Sequence, residues 1–144
     1  IGEAYYNTQD IADAYLFYKK ADELAPYNPE FKNKLGASLM AQNKVPEAMT
    51  VFEATLNENP KFVPALTNLG YAYLVSGNPG QADVFYKRGL ALDPDYEPLL
   101  MNVAGLYAYQ KNYAAAREMI GRVLKKNPKN EQAQQAYEQL KGFN

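Results

Sequence analysis

The sequence predicts an all-α fold, a stack of antiparallel helix pairs, on three observations. Pro26, Pro60, Pro94 and Pro128 stand 34 residues apart each time. Five further columns then fall into register: Gly2, Gly36, Gly70 and Ala104; Ala14, Ala48, Ala82 and Ala116; Ile1, Leu35, Leu69 and Val103; Tyr5, Leu39, Tyr73 and Tyr107; Tyr18, Phe52, Tyr86 and Ile120. Inside the units apolar residues recur at three and four, as in Leu66, Leu69, Tyr73 and Leu74, and no segment alternates with period two over a strand's length. A period of this length marks stacked helical units, none of which buries its apolar face alone.

The units follow in order. The first, residues 1–28, is six residues short of a full period, so its first helix is expected only over about Ile1 to Thr8, with a polar turn at Gln9-Asp10. We read the shortfall as that of a chain drawn from a longer protein. Units 29–62, 63–96 and 97–130 carry the corresponding turns at Asn43-Lys44, Gly77-Asn78 and Lys111-Asn112. Pro64 and Pro98 open first helices and Pro46 and Pro79 open second helices, where a missing N–H costs nothing. The proline that ends each unit cannot continue its helix and forces the turn into the next. Residues 131–142 form a capping helix, with Ala133, Ala136, Tyr137 and Leu140 on one face, Gln or charge on the other, and Gly142 as the stop. All of 1–144 reads as one domain.

Small residues explain the packing within a unit. Gly36 and Gly70 on first helices face Ala48 and Ala82 on second helices, which lets the two axes come close. A bulky residue at Gly70 is expected to overpack the crossing, at a cost on the order of 1–3 kcal/mol.

Composition narrows the function. The 144 residues contain no His, Cys or Trp and 13 Tyr. Imidazole bases, Ser-His or Cys-His pairs and the usual zinc, haem and iron–sulfur ligands are therefore missing, and no enzyme, cofactor or metal site is expected. A formal net charge of -1 gives no reason to expect a nucleic acid or an anionic membrane as partner. No stretch approaches the roughly 18 apolar residues that direct membrane insertion requires. Asp93, Asp95 and Glu97 begin like a calcium loop, but Pro98 and Ala104 stand where Gly and Glu are needed. Arg122, Lys125, Lys126 and Lys129 are cations at the end of a helix, where its dipole favours them.

The pattern Leu69-Gly70, Tyr73, Gly77, Ala82, Tyr86 and Pro94 resembles the tetratricopeptide repeat, over essentially the entire chain. It departs locally: Leu66 and Leu100 replace the family's first-helix aromatic, Ala104 replaces Gly, and a later Ala column reads Ala21, Thr55, Gly89 and Val123. The resemblance implies a right-handed superhelix of about four repeats plus a cap, whose first helices line a concave groove that binds a protein or peptide partner. Carried over residue by residue, the groove columns are Glu3, Tyr6 and Asn7; Glu30, Asn33, Lys34, Ala37, Met40 and Ala41; Thr67, Asn68, Tyr71, Leu74 and Val75; and Met101, Asn102, Gly105, Ala108 and Tyr109. The cap adds Gln132, Gln135 and Gln139.

Asn68 and Asn102 stand one repeat apart, with Lys34 one repeat earlier, and an amide ladder can pair with an extended peptide backbone of any sequence. Tyr71 and Tyr109, with Met40 and Leu74, offer an anchor surface for apolar side chains, whereas Tyr73 and Tyr107 are assigned to the core. The family's chaperone-binding members clamp a terminal carboxylate with Lys, Asn and Arg. The matching positions here are Asn33, Ala37, Asn68, Pro98 and Asn102, of which only Asn68 conforms, and this argues against such a clamp.

The leading expectation is a non-enzymatic scaffold or adaptor that binds a weakly charged peptide. Two alternatives stay open. One is weak homo-oligomerisation through the N-terminal edge, where Ile1, Tyr5 and Tyr15 would lack cover; the other is a C-terminal helper domain of a larger enzyme or envelope assembly protein. High Asn, Gln and Tyr without Cys points toward a bacterial setting, cytoplasmic or periplasmic.

Overall fold

The structure is a computed structural model that describes residues 8–25 and 28–143. Among them are eight helices and no strand: α1 Thr8–Leu24, α2 Pro29–Ala41, α3 Val45–Glu58, α4 Val63–Val75, α5 Pro79–Leu92, α6 Glu97–Tyr109, α7 Tyr113–Lys126 and α8 Glu131–Leu140. Each packs against the next in the chain. The first helices of successive units also touch, α2 on α4 and α4 on α6, while no comparable contact joins α3 to α5 or α5 to α7. The first helices thus form the crowded inner layer and the second helices the splayed outer one, as in a curved solenoid.

Three turns share one construction. Asn43 and Lys111 have a φ of 61° and Gly77 of 83°. In each case the residue after the left-handed one sends its N–H back across the helix end, from Lys44 to the Leu39 carbonyl, Asn78 to Tyr73 and Asn112 to Tyr107, at 2.8–2.9 Å. This satisfies carbonyls that a helix end leaves unpaired. The expected turn at Gln9-Asp10 is a correction: both residues lie inside α1. No left-handed break interrupts this helix. The rest of the expected first helix, Ile1 to Asn7, lies outside the described residues, as does Pro26.

The expected prolines stand at helix starts, with Pro79 first in α5 and Pro46, Pro64 and Pro98 second in α3, α4 and α6. Asn28, Asn78, Asn112 and Asn130 cap α2, α5, α7 and α8 by accepting main-chain N–H groups of the first turn at 2.9–3.3 Å.

The small-residue column has a more specific cause than close helix axes. A Cβ at Gly70 would lie 2.5 Å from Tyr86 Cε1, and a Cβ at Gly36 would strike the Phe52 ring. An aromatic ring fills the space a side chain would need at each of these two glycines. Where Ala104 takes the glycine's place, the ring is replaced by Ile120, and both are buried in one cluster. Gly89 likewise makes room for Leu99, whose Cδ2 would be 2.8 Å from a Cβ there.

The core runs as three overlapping clusters along the array. Leu39, Phe52, Leu66 and Leu69 join α2, α3 and α4; Tyr86, Leu99, Val103 and Leu106 join α5 and α6; Ala104, Ala116, Ile120 and Val123 join α6 and α7. Onto the last of these α8 closes with Ala133, Ala136, Tyr137 and Leu140, while Gln132, Gln135 and Gln139 stay exposed. Arg117 secures its far end by donating to the Leu140 and Phe143 carbonyls at 2.9 and 2.6 Å, beside a Tyr113–Phe143 ring contact. Asn130 also donates to the Glu97 carboxylate, tying α8 to α6.

Candidate peptide-binding groove

The inner surface is built from one face each of α2, α4 and α6. Tyr71 on α4 is 45% exposed and Tyr109 on α6 is 66% exposed. The rest of this surface is low in side chains: a Cβ at Gly105 on α6 would meet nothing within 4 Å, Ala37 and Ala41 on α2 are exposed, and Ala108 on α6 is half-buried. Tyr73 and Tyr107 turn the other way, packed on the core, with Tyr73 stacked on Phe85 at 5.5 Å.

Met40 and Leu74 are half-buried and pack on the core from the groove side. Lys34 is exposed, with its ammonium 5.8 Å from the centre of the Tyr18 ring, so α2 braces against α1 by a cation over an aromatic face. Thr67 is a correction to the groove columns. It is 2% exposed, and its hydroxyl donates to the Val63 carbonyl of its own helix at 2.9 Å. Pointing inward, the threonine finds an acceptor one turn back. Glu3, Tyr6 and Asn7 lie outside the described residues.

The amides join on a diagonal. Asn68 donates to the Asn33 side-chain oxygen at 3.0 Å, 35 residues away and thus one repeat plus one position. No described hydrogen bond joins Asn68 to Asn102. Superhelical twist brings α4's residue 68 opposite residue 33 of α2, an offset that a count of 34 does not reveal. The pairing leaves the Asn68 oxygen and the Asn33 amide hydrogens directed elsewhere, while Asn102 is half-exposed on α6.

Tyr86, of the Tyr18, Phe52, Tyr86 and Ile120 column, carries a polar atom into the core. Tyr86 is 1% exposed, and its hydroxyl has no hydrogen-bond partner among the described residues. Burial, with a smaller contribution from the Tyr71 phenol, pushes its ionisation well above the ordinary tyrosine range. An unpaired buried hydroxyl costs about 1–3 kcal/mol.

Arg122, Asp95 and Asp93 are engaged with one another and with the main chain. Arg122 donates to the Pro94 carbonyl at 2.5 Å and faces Asp95 at 3.4 Å, while Asp93 accepts from the Asp95 N–H at 3.3 Å. Among the described residues no three His, Cys, Asp or Glu side chains gather as a metal site would require, and no helix is long and apolar enough to cross a membrane.

A family model described as tetratricopeptide repeat matches residues 6–70 and again 73–140. The chain belongs to the tetratricopeptide repeat family. Such proteins mediate protein–protein interactions. The chain is similar to the Hsp70-Hsp90 organizing protein of Triticum aestivum, 29% identical over 103 residues that make up 72% of this chain and 18% of that protein. It is also similar to DnaJ homolog subfamily C member 7 of Homo sapiens, 30% identical over 92 residues, or 64% of this chain and 19% of that protein. It thus spans about a fifth of the length of these relatives.

Solved structures share the tetratricopeptide fold. A thermophilic protein of Thermus thermophilus superposes with a TM-score of 0.82 at 19% identity, covering 90% of this chain and 72% of that one. The first such domain of Spaghetti (RPAP3), bound to the HSP90 peptide SRMEEVD, gives 0.73 at 18% identity, covering 78% and 92%.

Proposed function

We propose that this chain is a non-enzymatic binding module that takes a weakly charged peptide segment of a protein partner across the inner faces of α2, α4 and α6. The carrying observation is the pair Tyr71 and Tyr109, exposed on the neighbouring helices α4 and α6, with open space at Gly105 one turn before Tyr109. Aromatic side chains held this way bury much area at little entropic cost, as anchor residues do. Asn33, Asn68 and Asn102 supply neutral donors and acceptors for a peptide backbone, and Lys34 the nearest cation. An acidic tail such as that of the HSP90 peptide fits poorly, because Ala37, Pro98 and Asn102 stand where a clamp needs Asn, Lys and Arg.

In this reading residues 29–62, 63–96 and 97–130 are the three complete repeats, 1–28 part of another, and 131–142 the cap. Titrating a candidate peptide into the wild type and an Asn68→Ala/Asn102→Ala double variant tests the amides. Affinity should fall about five- to thirtyfold, for roughly 1–2 kcal/mol of lost hydrogen bonding. Unchanged affinity removes them from the site.

A second reading, association of copies through α1, is favoured by Leu16, Phe17 and Leu24, which are 60%, 64% and 79% exposed. Tyr15 does not contribute as expected: it packs against the core, with the Lys19 and Lys44 ammoniums 6.0 and 5.8 Å from its ring centre. Ile1 and Tyr5 lie outside the described residues. Light scattering over a concentration series decides: a constant monomer mass rejects the reading, and a mass that falls to the monomer for Phe17→Glu supports it.

A further inference from the structure

The second helices α3, α5 and α7 are each covered by the first helix of their own unit, and the covering residues repeat. Gly36 meets the Phe52 ring, Gly70 meets the Tyr86 ring, and Ala104 shares a cluster with Ala116 and Ile120. Three positions further along the first helix, Tyr73 stacks on Phe85 at 5.5 Å, Leu39 shares a cluster with Val51, and Tyr107 shares one with Met119. The covering pattern is thus a small residue, two others, and a large apolar one.

By its columns α1 is also a second helix. Its Ala14 and Tyr18 are in register with Ala48 and Phe52, Ala82 and Tyr86, and Ala116 and Ile120. Those six are buried, whereas Ala14 and Tyr18 are only half-buried. Phe17 is in register with Phe85, yet Phe85 is half-buried and Phe17 is 64% exposed. The Tyr18 ring has the Phe17 ring edge-on at 5.2 Å and the Lys34 ammonium at 5.8 Å. Moreover, α1 runs unbroken through Gln9 and Asp10, where the other units turn from first helix to second. Among the described residues, no first helix covers it.

We infer that this face of α1 is an acceptor site for an amphipathic helix of a protein partner, comparable in length to the 13-residue α2, α4 and α6. A Gly or Ala of that helix lies against the Tyr18 ring, and a large apolar residue three positions on covers Phe17. The contact continues an interface that the array already makes three times, and burial of the open apolar face drives it. The glycines that seat rings in this chain, Gly36 and Gly70, are already taken by Phe52 and Tyr86, so a second copy has neither to offer. The site is separate from the groove on α2, α4 and α6 and does not rest on the groove reading.

A dye-labelled peptide with the sequence of α2, Pro29–Ala41, carries the pattern as Gly36 and Leu39 and serves as the probe. It is titrated by fluorescence anisotropy into the full chain, with amide shifts to locate it. Saturable binding with shifts on α1 is expected. Gly36→Val in the peptide should weaken it at least about fivefold, by overpacking against Tyr18. Phe17→Glu in the chain, at an exposed position, should melt as the wild type does and bind about tenfold more weakly. Val84→Glu, on the exposed side of α5, should bind as the wild type does. Absence of binding, an affinity indifferent to Gly36→Val in the peptide, or shifts that fall on α4 and α6 instead each overturn the site. A chain that light scattering shows to be dimeric through α1 overturns it in favour of association of copies.

Discussion

At Gly70 a side chain has no room, because the Tyr86 ring occupies it at 2.5 Å. Gly70→Val should therefore destabilise the chain by about 1–3 kcal/mol, read from urea midpoints, whereas Gly105→Ala, which meets nothing, should not. The same ring sets an alkaline limit. Tyr86 ionises well above the ordinary tyrosine value in the folded chain and near 10 in the unfolded one, so its contribution is complete below about pH 10 and is lost as pH climbs toward the folded value. Stability measured across that range should fall, and should fall less in Tyr86→Phe. The glycine column was plain in the sequence, but its cause was not, since a period shows that a small residue recurs and not which atom excludes a larger one. Thr67 was misplaced for a related reason: its column faces the groove in the family, and only the Val63 carbonyl one turn back explains why a polar side chain turns inward.

The repeating turn between paired helices needs one left-handed residue, and the three turns meet that need with Asn43, Gly77 and Lys111. Lys111 is the costly choice, because its Cβ crowds the following carbonyl. Lys111→Gly should stabilise the chain by about 0.5–1 kcal/mol in thermal or urea unfolding, once glycine's larger entropy loss is subtracted. Helix starts were legible from proline, which marks a position unambiguously. The four Asn caps are a sequence signal of their own, and two of them, Asn112 and Asn130, mark helix starts that no proline occupies. A polar pair at this repeat position does not by itself dictate a turn: Lys111-Asn112 makes one, whereas Gln9-Asp10 continues its helix.

For the molecule as a whole, the period of 34 specified the architecture because every unit solves one packing problem and the solutions stack. It could not specify the groove to the same depth. Tyr71 and Tyr109 were legible as exposed because each falls in a column that the family turns toward the groove, Tyr71 with Ala37 and Gly105 and Tyr109 with Ala41 and Val75, whereas the Asn33–Asn68 pair appears as a separation of 35. The crossings carry a further consequence, for how such a chain can change. Gly36 with Phe52, Gly70 with Tyr86, and Ala104 with Ile120 each lie inside one unit. Duplicating a whole unit therefore copies both halves of a fitted pair, while a break between them does not. Within a unit the order of substitution is one-way: the ring must give way to something smaller before the glycine can gain a methyl group. The Ala104–Ile120 unit holds the pair with both members changed.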